Sequence, residues 1–149
     1  MKQYIGTKII MAKPMTRGDY NIYRGWTIPE NENPADEGYL VKYSDDYESW
    51  SPKEAFDEAY RECDNMTFGL AVEAMKKGYR VARKGWNSKK QYIELASNIS
   101  YVNAAGEIVN CEHDAIGNKA IAFVGTSGVQ MGWLASQADM LAEDWEIVQ

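Results

Sequence analysis

Residues 67–87, TFGLAVEAMKKGYRVARKGWN, predict a helix followed by a strand. Thr67 can cap the helix because its side-chain oxygen can accept a hydrogen bond from the first turn. After it, the apolar residues fall on one helical face, at positions 68, 71, 72 and 75. Gly78 ends the helix, and the lysines before it suit the negative end of the helix dipole. A helix with one apolar face needs a second layer to pack against, and the strands that follow supply one.

Five segments have strand patterns, the first of them within residues 67–87, and turns that contain glycine separate several of the others. They are residues 79–83, 91–95, 107–110, 120–124 and 145–148. Before the last strand, residues 136–139 predict a cap, with Ser136 and Asp139, for one helical turn over residues 140–142. The order of helix, strands, short helix and strand predicts an α+β fold, in which an antiparallel β-sheet packs on one helix.

The preceding residues, 1–65, predict a separate, small acidic α+β module. Residues 7–13 have a strand pattern that stops at Pro14, and residues 15–38 read as a long irregular loop. A hairpin that turns at residues 44–46 follows, and then a helix to about residue 62, with Ser51 as its cap. Residues 63–65 carry no periodic pattern. We therefore place a boundary there and expect residues 66–149 to form the second module.

The charge pattern excludes some partners. The chain of 149 residues has a net charge of −6, yet residues 66–99 contain seven basic and two acidic residues. An acidic protein is a poor ligand for long nucleic acid, whereas a local basic patch can hold a small anion. No apolar run approaches the roughly 18 residues of a membrane span, and the N-terminus has no signal-peptide pattern. We expect a cytoplasmic protein.

The sequence contains no recognisable catalytic motif. It lacks the nucleophile-elbow, zinc-protease, P-loop and dinucleotide-binding patterns, and the single histidine leaves no evident nucleophile and base pair. His113 lies near Cys111 and two carboxylates, but their spacing favours a surface loop over a metal site. We predict no catalytic residue, no metal and no cofactor.

Two clusters carry the candidate binding chemistry. In VARKGWN, residues 81–87, the indole of Trp86 could stack on a base, Arg83 and Lys84 could meet phosphate, and Asn87 could read a base edge or a ribose hydroxyl. In GWLASQADMLAEDW, residues 132–145, free N–H groups at the helix start could receive a phosphate or hydroxyl. The alternative is structural: buried tryptophans, a capping box and solvated cations. Residue types alone favour the structural alternative.

The two clusters together resemble a known family. MTFGLAVEAMKKGYRVARKGWN followed by WLASQADMLAEDWEIV is similar to the second Thoeris anti-defence family of phage proteins, over residues 66–149. Leu70 departs from that pattern, because the family usually has an acidic residue there. Residues 1–65 resemble an accessory segment of phage proteins.

This resemblance implies a sponge without enzymatic activity, which binds the nucleotide messengers of bacterial immunity inside the host cell. The ligands would be cyclic ADP-ribose isomers, chiefly glycocyclic ADP-ribose from Thoeris, and for some members cyclic dinucleotides from CBASS. The family fold is a helix on a four-stranded antiparallel sheet, assembled as a homotetramer with pockets between subunits. The motif match carries over Trp86, Asn87, Ser136, Gln137, Asp139 and Met140 as ligand-binding residues, and electrostatics adds Arg83 and Lys84.

Two other functions stay open at this point. One is a cyclic-nucleotide hydrolase. The other is a protein-interaction module, in which the acidic first module docks on a basic host protein through Tyr20, Tyr23 and Trp26, all expected to be exposed.

Overall fold

The structure is a computed structural model that describes residues 1–110 and 118–149; of residues 87–89 and 110 it describes only the backbone. Within these residues the chain divides into two compact units, Met1–Arg61 and Glu62–Gln149. Both are mixtures of helices and antiparallel strands, as the predicted α+β class requires. No described helix has the length and apolar character needed to cross a membrane.

The first unit is a three-stranded antiparallel sheet with two helices. Its elements are β1 (Met11–Pro14), α1 (Arg17–Arg24), β2 (Gly38–Lys42), β3 (Glu48–Pro52) and α2 (Lys53–Ala59), with strand order β1-β2-β3. The predicted hairpin is confirmed as the β2–β3 pair. The predicted strand over residues 7–13 is too long at its start. Met11 already pairs with Lys42, the last residue of β2, so earlier residues find no strand partner there.

The irregular loop predicted for residues 15–38 is wrong, because α1 lies inside it. The Thr16 side chain accepts a hydrogen bond from the backbone N–H of Asp19, and Gly25 ends the helix with a φ of 73°. The residues that suggested a loop have tertiary roles instead. A Cβ at Gly18 would lie 2.6 Å from Pro34, and buried Asn21 donates a hydrogen bond to Glu32.

The predicted cap of α2 is also wrong. Ser51 belongs to β3, where it pairs with Tyr39, and the helix begins after Pro52 without a side-chain cap. The helix ends at Ala59, three residues before the predicted end. Its packing face is aromatic, since the Phe56 ring stacks on Tyr39 with centroids 4.0 Å apart.

In its described residues, the second unit contains a five-stranded antiparallel sheet, a two-stranded ribbon, two α-helices and a 3-10 helix. Its elements are α3 (Phe68–Lys76), β4 (Arg80–Arg83), a 3-10 helix (Lys84–Lys89), β5 (Tyr92–Ser97), β6 (Ser100–Val102), β7 (Ile108–Asn110), β8 (Lys119–Gly125), β9 (Gly128–Met131), α4 (Gln137–Leu141) and β10 (Trp145–Val148). The order of the large sheet is β10-β4-β5-β8-β9, and β6 pairs with β7.

Helix α3 follows the sequence prediction closely. The Thr67 side chain accepts a hydrogen bond from the backbone N–H of Leu70, and Gly78 has a φ of 92° just after the helix. Ala71 and Met75 are buried, and Phe68 and Val72 pack against the same core. The predicted amphipathic face is therefore the face that covers the sheet.

The core of the second unit lies between α3 and the sheet. Val81 on β4, Ile93 on β5 and Trp145 on β10 are all 0% exposed. Val81 pairs with both Ile93 and Ile147, so these side chains share the face of the sheet that α3 covers. The outer edge of β10 also pairs with the segment before α3, through two hydrogen bonds between the Met66 and Trp145 backbones.

The sequence patterns did not predict two of the strands. β6 and β9 are three and four residues long, and every described side chain in them is exposed, so neither carries a buried alternation. With β9 added, the sheet has five strands instead of the four that the resemblance implied.

We expect Thr67→Ala to lower the free energy of unfolding of the second unit by about 1 kcal/mol, because the first turn of α3 loses its side-chain cap. Thr67→Ser is the matched control and should stay within a few tenths of a kcal/mol of the parent, since its hydroxyl can make the same hydrogen bond. Urea unfolding followed by tryptophan fluorescence measures both. Equal loss in the two variants would contradict the capping role.

Candidate functional site

Arg83 connects the two sequence clusters. It ends β4 opposite Trp145, and therefore points to the same face of the sheet. Its Nε and Nη2 atoms donate to the two carboxylate oxygens of Asp144, at 2.9 and 3.3 Å. Its Nη1 atom donates to Oδ1 of Asp139 at 3.2 Å. One guanidinium thus bridges two carboxylates that follow it by more than 50 positions in the chain.

The second oxygen of Asp139 closes the capping box of α4. Asp139 Oδ2 accepts hydrogen bonds from the backbone N–H of Ser136 at 3.1 Å and from its hydroxyl at 2.8 Å. In return, the backbone N–H of Asp139 donates to Ser136 Oγ at 3.1 Å. The predicted cap is confirmed, and the helix runs over residues 137–141 instead of the predicted 140–142. The cap and the Arg83 ion pairs form one network.

The network changes the ionisation of its members. Burial alone would raise the pKa of Asp139, but the hydrogen bonds from Ser136 and the interaction with Arg83 outweigh it, and the pKa is lowered. The hydrogen bonds to Asp144 are the main cause that raises the pKa of Arg83, with a smaller contribution from Asp139. Both groups stay charged at neutral pH.

Trp86 is half-buried in an aromatic cluster. Its ring meets Trp145, Phe123 and Trp133 edge to face, with centroid distances of 5.3, 5.5 and 5.7 Å. Such pairs add about 0.5–1.5 kcal/mol each beyond the area that they bury. The 3-10 helix of residues 84–89 turns the Trp86 ring toward the core. A packing role is therefore present, and only the exposed part of the ring is free to meet a ligand.

Lys84 is exposed and lies beside Asn65, a residue that sequence reasoning placed in a boundary segment. Lys84 Nζ donates to the side-chain oxygen of Asn65 at 2.7 Å. In the described part of the chain its ammonium thus contacts a neutral amide oxygen instead of a carboxylate. Asn65 comes next to Lys84 because Met66 pairs with β10. No pattern within residues 63–65 could have predicted this contact.

The other predicted site residues on α4 are exposed. Gln137 and Met140 lie on this short helix, and the Met140 side chain is 42% exposed. The side chain of Asn87 lies outside the described residues, as do Cys111 and His113. Within the described ranges, no group of three or more His, Cys, Asp or Glu residues could hold a metal ion.

A cavity of about 330 Å³ lies elsewhere, in the first unit, and is lined in part by Arg17, Trp50 and Lys53. Both cations are already paired, Arg17 with Glu32 and Lys53 with Asp57. None of the predicted site residues lines this cavity. The second unit is therefore where the predicted chemistry is concentrated.

Asp139→Asn should destabilise the second unit at pH 7, and the difference from the parent should disappear at low pH. The folded-state pKa of Asp139 lies below its ordinary value of 3.8. Its charge therefore contributes stability above that value, which is lost as the pH falls through the folded pKa. Urea unfolding at a series of pH values from 7 to 2 measures this. Exposed Asp45→Asn is the control, and a pH-independent difference for Asp139→Asn would contradict the electrostatic cause.

Comparison with known proteins agrees with this distribution of residues. The family model for the Thoeris anti-defense 2-like domain matches residues 66–148, which include α3, both clusters and β10. A curated protein of Bacillus phage SP01, "Thoeris anti-defense 2", is 39% identical over 88 residues, covering 56% of this chain and 94% of that protein. The chain therefore belongs to the Thoeris anti-defense 2-like family.

Proposed function

We propose that this chain is a phage anti-defence protein that binds and sequesters immune nucleotide second messengers without cleaving them. The first ligand is glycocyclic ADP-ribose, and cyclic dinucleotides are a second class. The protein acts in the cytoplasm of the host cell. The support comes from the family match and from one structural observation, the Arg83 network that brings the two clusters together.

The site offers groups that suit such a ligand. Lys84 supplies positive charge for a diphosphate, and the exposed part of Trp86 supplies an aromatic surface for a base. On α4, Gln137 can hydrogen-bond a base or ribose, and the Met140 thioether can contact a ring. Asn87 completes the proposed set together with Ser136, Asp139 and Arg83. These groups bind and orient, and none of them is an evident nucleophile with its base.

A sponge must also bind tightly. To remove a messenger present at micromolar concentration it needs a nanomolar Kd, which corresponds to about −12 kcal/mol. Exposed groups on one chain are a weak basis for such affinity, because ordering a ligand on an open surface costs free energy. We therefore propose a homotetramer with pockets between subunits, in which a second chain adds contacts to the two clusters that meet within one chain.

Purified protein that is loaded with glycocyclic ADP-ribose and then heat-denatured should release the ligand intact. Chromatography with mass detection measures the released species. A degraded product would identify a cyclic-nucleotide hydrolase instead. Calorimetry on the same sample gives the Kd, and no heat with glycocyclic ADP-ribose or cyclic dinucleotides at micromolar concentration would contradict sequestration.

Substitutions on α4 test the location of the site. Gln137→Ala and Met140→Ala should each weaken binding of glycocyclic ADP-ribose by about fivefold, as expected for one lost contact, without changing the thermal midpoint. Leu141→Ala is the matched control on the same helix, because Leu141 is 76% exposed and is not assigned to the site. Unchanged affinity in both test variants would show that the ligand binds away from these α4 residues.

Docking on a host protein is the second candidate. In the first unit, Tyr23 and Trp26 are 50% and 52% exposed, whereas Tyr20, also expected to be exposed, is buried at 8%. A Tyr23→Ala, Trp26→Ala double variant separates the two functions. If the function is sequestration, the double variant should have the same Kd for glycocyclic ADP-ribose as the parent. If the function is docking, affinity capture with the double variant should lose a host protein that the parent captures.

A further inference from the structure

We propose that Arg83 is a positioning residue, which holds the cap of α4 in place for the ligand, and that Lys84 is the cation that meets phosphate. This inference rests on the proposed function and refines its site. Charge alone would assign both neighbouring cations to phosphate, whereas here only Lys84 has that role.

The first reason is how the donors of Arg83 are used. Three of its nitrogen atoms donate to Asp139 and Asp144, which together carry two negative charges. The side chain is 28% exposed, so these contacts are partly shielded from water. A phosphate could reach only the two N–H groups of this guanidinium that remain, and its negative charge would come close to the two carboxylates already bound there, which is unfavourable because like charges repel. Lys84 has no such conflict, since its contact is the amide oxygen of Asn65.

The second reason is what Arg83 holds. Asp139 accepts from Arg83 with one oxygen and from Ser136 with the other. Arg83 thereby fixes the carboxylate that closes the α4 cap, and Trp145 supports the same turn by donating from Nε1 to the Asp139 carbonyl at 2.9 Å. Displacement of Arg83 would release the start of α4, on which Ser136 and Gln137 lie.

This arrangement also determines which kind of hydrogen bond the Ser136 hydroxyl can make to a ligand. Its single hydrogen is donated to Asp139 Oδ2, and one lone pair accepts from the Asp139 backbone N–H. The remaining lone pair can only accept a hydrogen bond. At this point the site therefore selects a donor, such as a ribose hydroxyl or a base amino group, and it disfavours an unprotonated phosphate oxygen.

The salt dependence of binding distinguishes the two cations. We would measure the Kd of glycocyclic ADP-ribose by calorimetry from 50 to 400 mM KCl, in the parent and in Arg83→Met, Arg83→Lys and Lys84→Met. A cation that contacts phosphate contributes to the weakening of binding by salt, because screening reduces that attraction. Lys84→Met should flatten the salt dependence. Both Arg83 variants should weaken binding about tenfold, since neither methionine nor lysine can bridge the two carboxylates. Both should keep the salt dependence of the parent, because Arg83 does not contact the phosphate.

Amide hydrogen exchange supplies a readout that needs no ligand. The N–H groups of Asp139 and Met140, which bond to Ser136, should exchange faster in Arg83→Lys than in the parent, and should be unchanged in Lys84→Met. Arg83→Lys keeps the charge, and carries the comparison if Arg83→Met does not fold.

The outcomes separate this inference from the function on which it rests. Parent-like affinity in Arg83→Lys, a flattened salt dependence in Arg83→Met, or unchanged α4 exchange would overturn the positioning role. If the parent itself binds no glycocyclic ADP-ribose, the proposed function fails for that ligand, and the exchange data alone decide whether Arg83 positions α4.

Discussion

The burial of Trp145 is the constraint on which the second unit depends. Its side chain is 0% exposed, and its ring contacts Trp86 and Phe68 at centroid distances of 5.3 and 5.4 Å. Its backbone pairs with Met66 on one side and with Arg83 on the other. A single residue therefore joins the start of α3, the end of β4 and, through its indole N–H, the first turn of α4. Large aromatic side chains dominate core energetics because of the area that they bury, and here that area lies where the two sequence clusters meet.

As a consequence, several charged and aromatic side chains that stand out in the sequence make contacts that stabilise the fold. The charge of Arg83 is compensated by Asp139 and Asp144, and Trp86 packs against three rings. The groups that we propose for ligand recognition are less conspicuous in the sequence. They include the Lys84 ammonium, which lies next to an amide, the Ser136 hydroxyl, whose hydrogen is already donated to Asp139, and two exposed side chains on α4. The binding site that we propose is preorganised, because its supporting contacts exist without a ligand.

The first unit uses the same principle with different residues. Trp50 donates from its indole N–H to the Met15 carbonyl at 2.8 Å, and the Arg17 guanidinium lies 4.9 Å from its ring centroid. Gly38 passes so close that a Cβ there would lie 2.4 Å from the Trp50 ring. Arg17 is itself paired with Glu32, as Arg83 is with its carboxylates. In both units, an arginine that looks free in the sequence is held by acids from distant positions.

The sequence by itself determined the elements whose signals are local. The cap and apolar face of α3, the strand at β10, the Ser136 capping box and the α+β class follow from periodicity and end signals within a few residues. The tertiary structure decided what depends on distant partners. Gly18 and Asn21 suit a helix only because Pro34 and Glu32 contact them. The edge strand β9 forms only because β8 offers it hydrogen bonds. Asn65 lies beside Lys84 only because the neighbouring Met66 pairs with β10. Charge and residue type are properties of the chain, but whether a cation is free or neutralised depends on which carboxylate the fold places beside it.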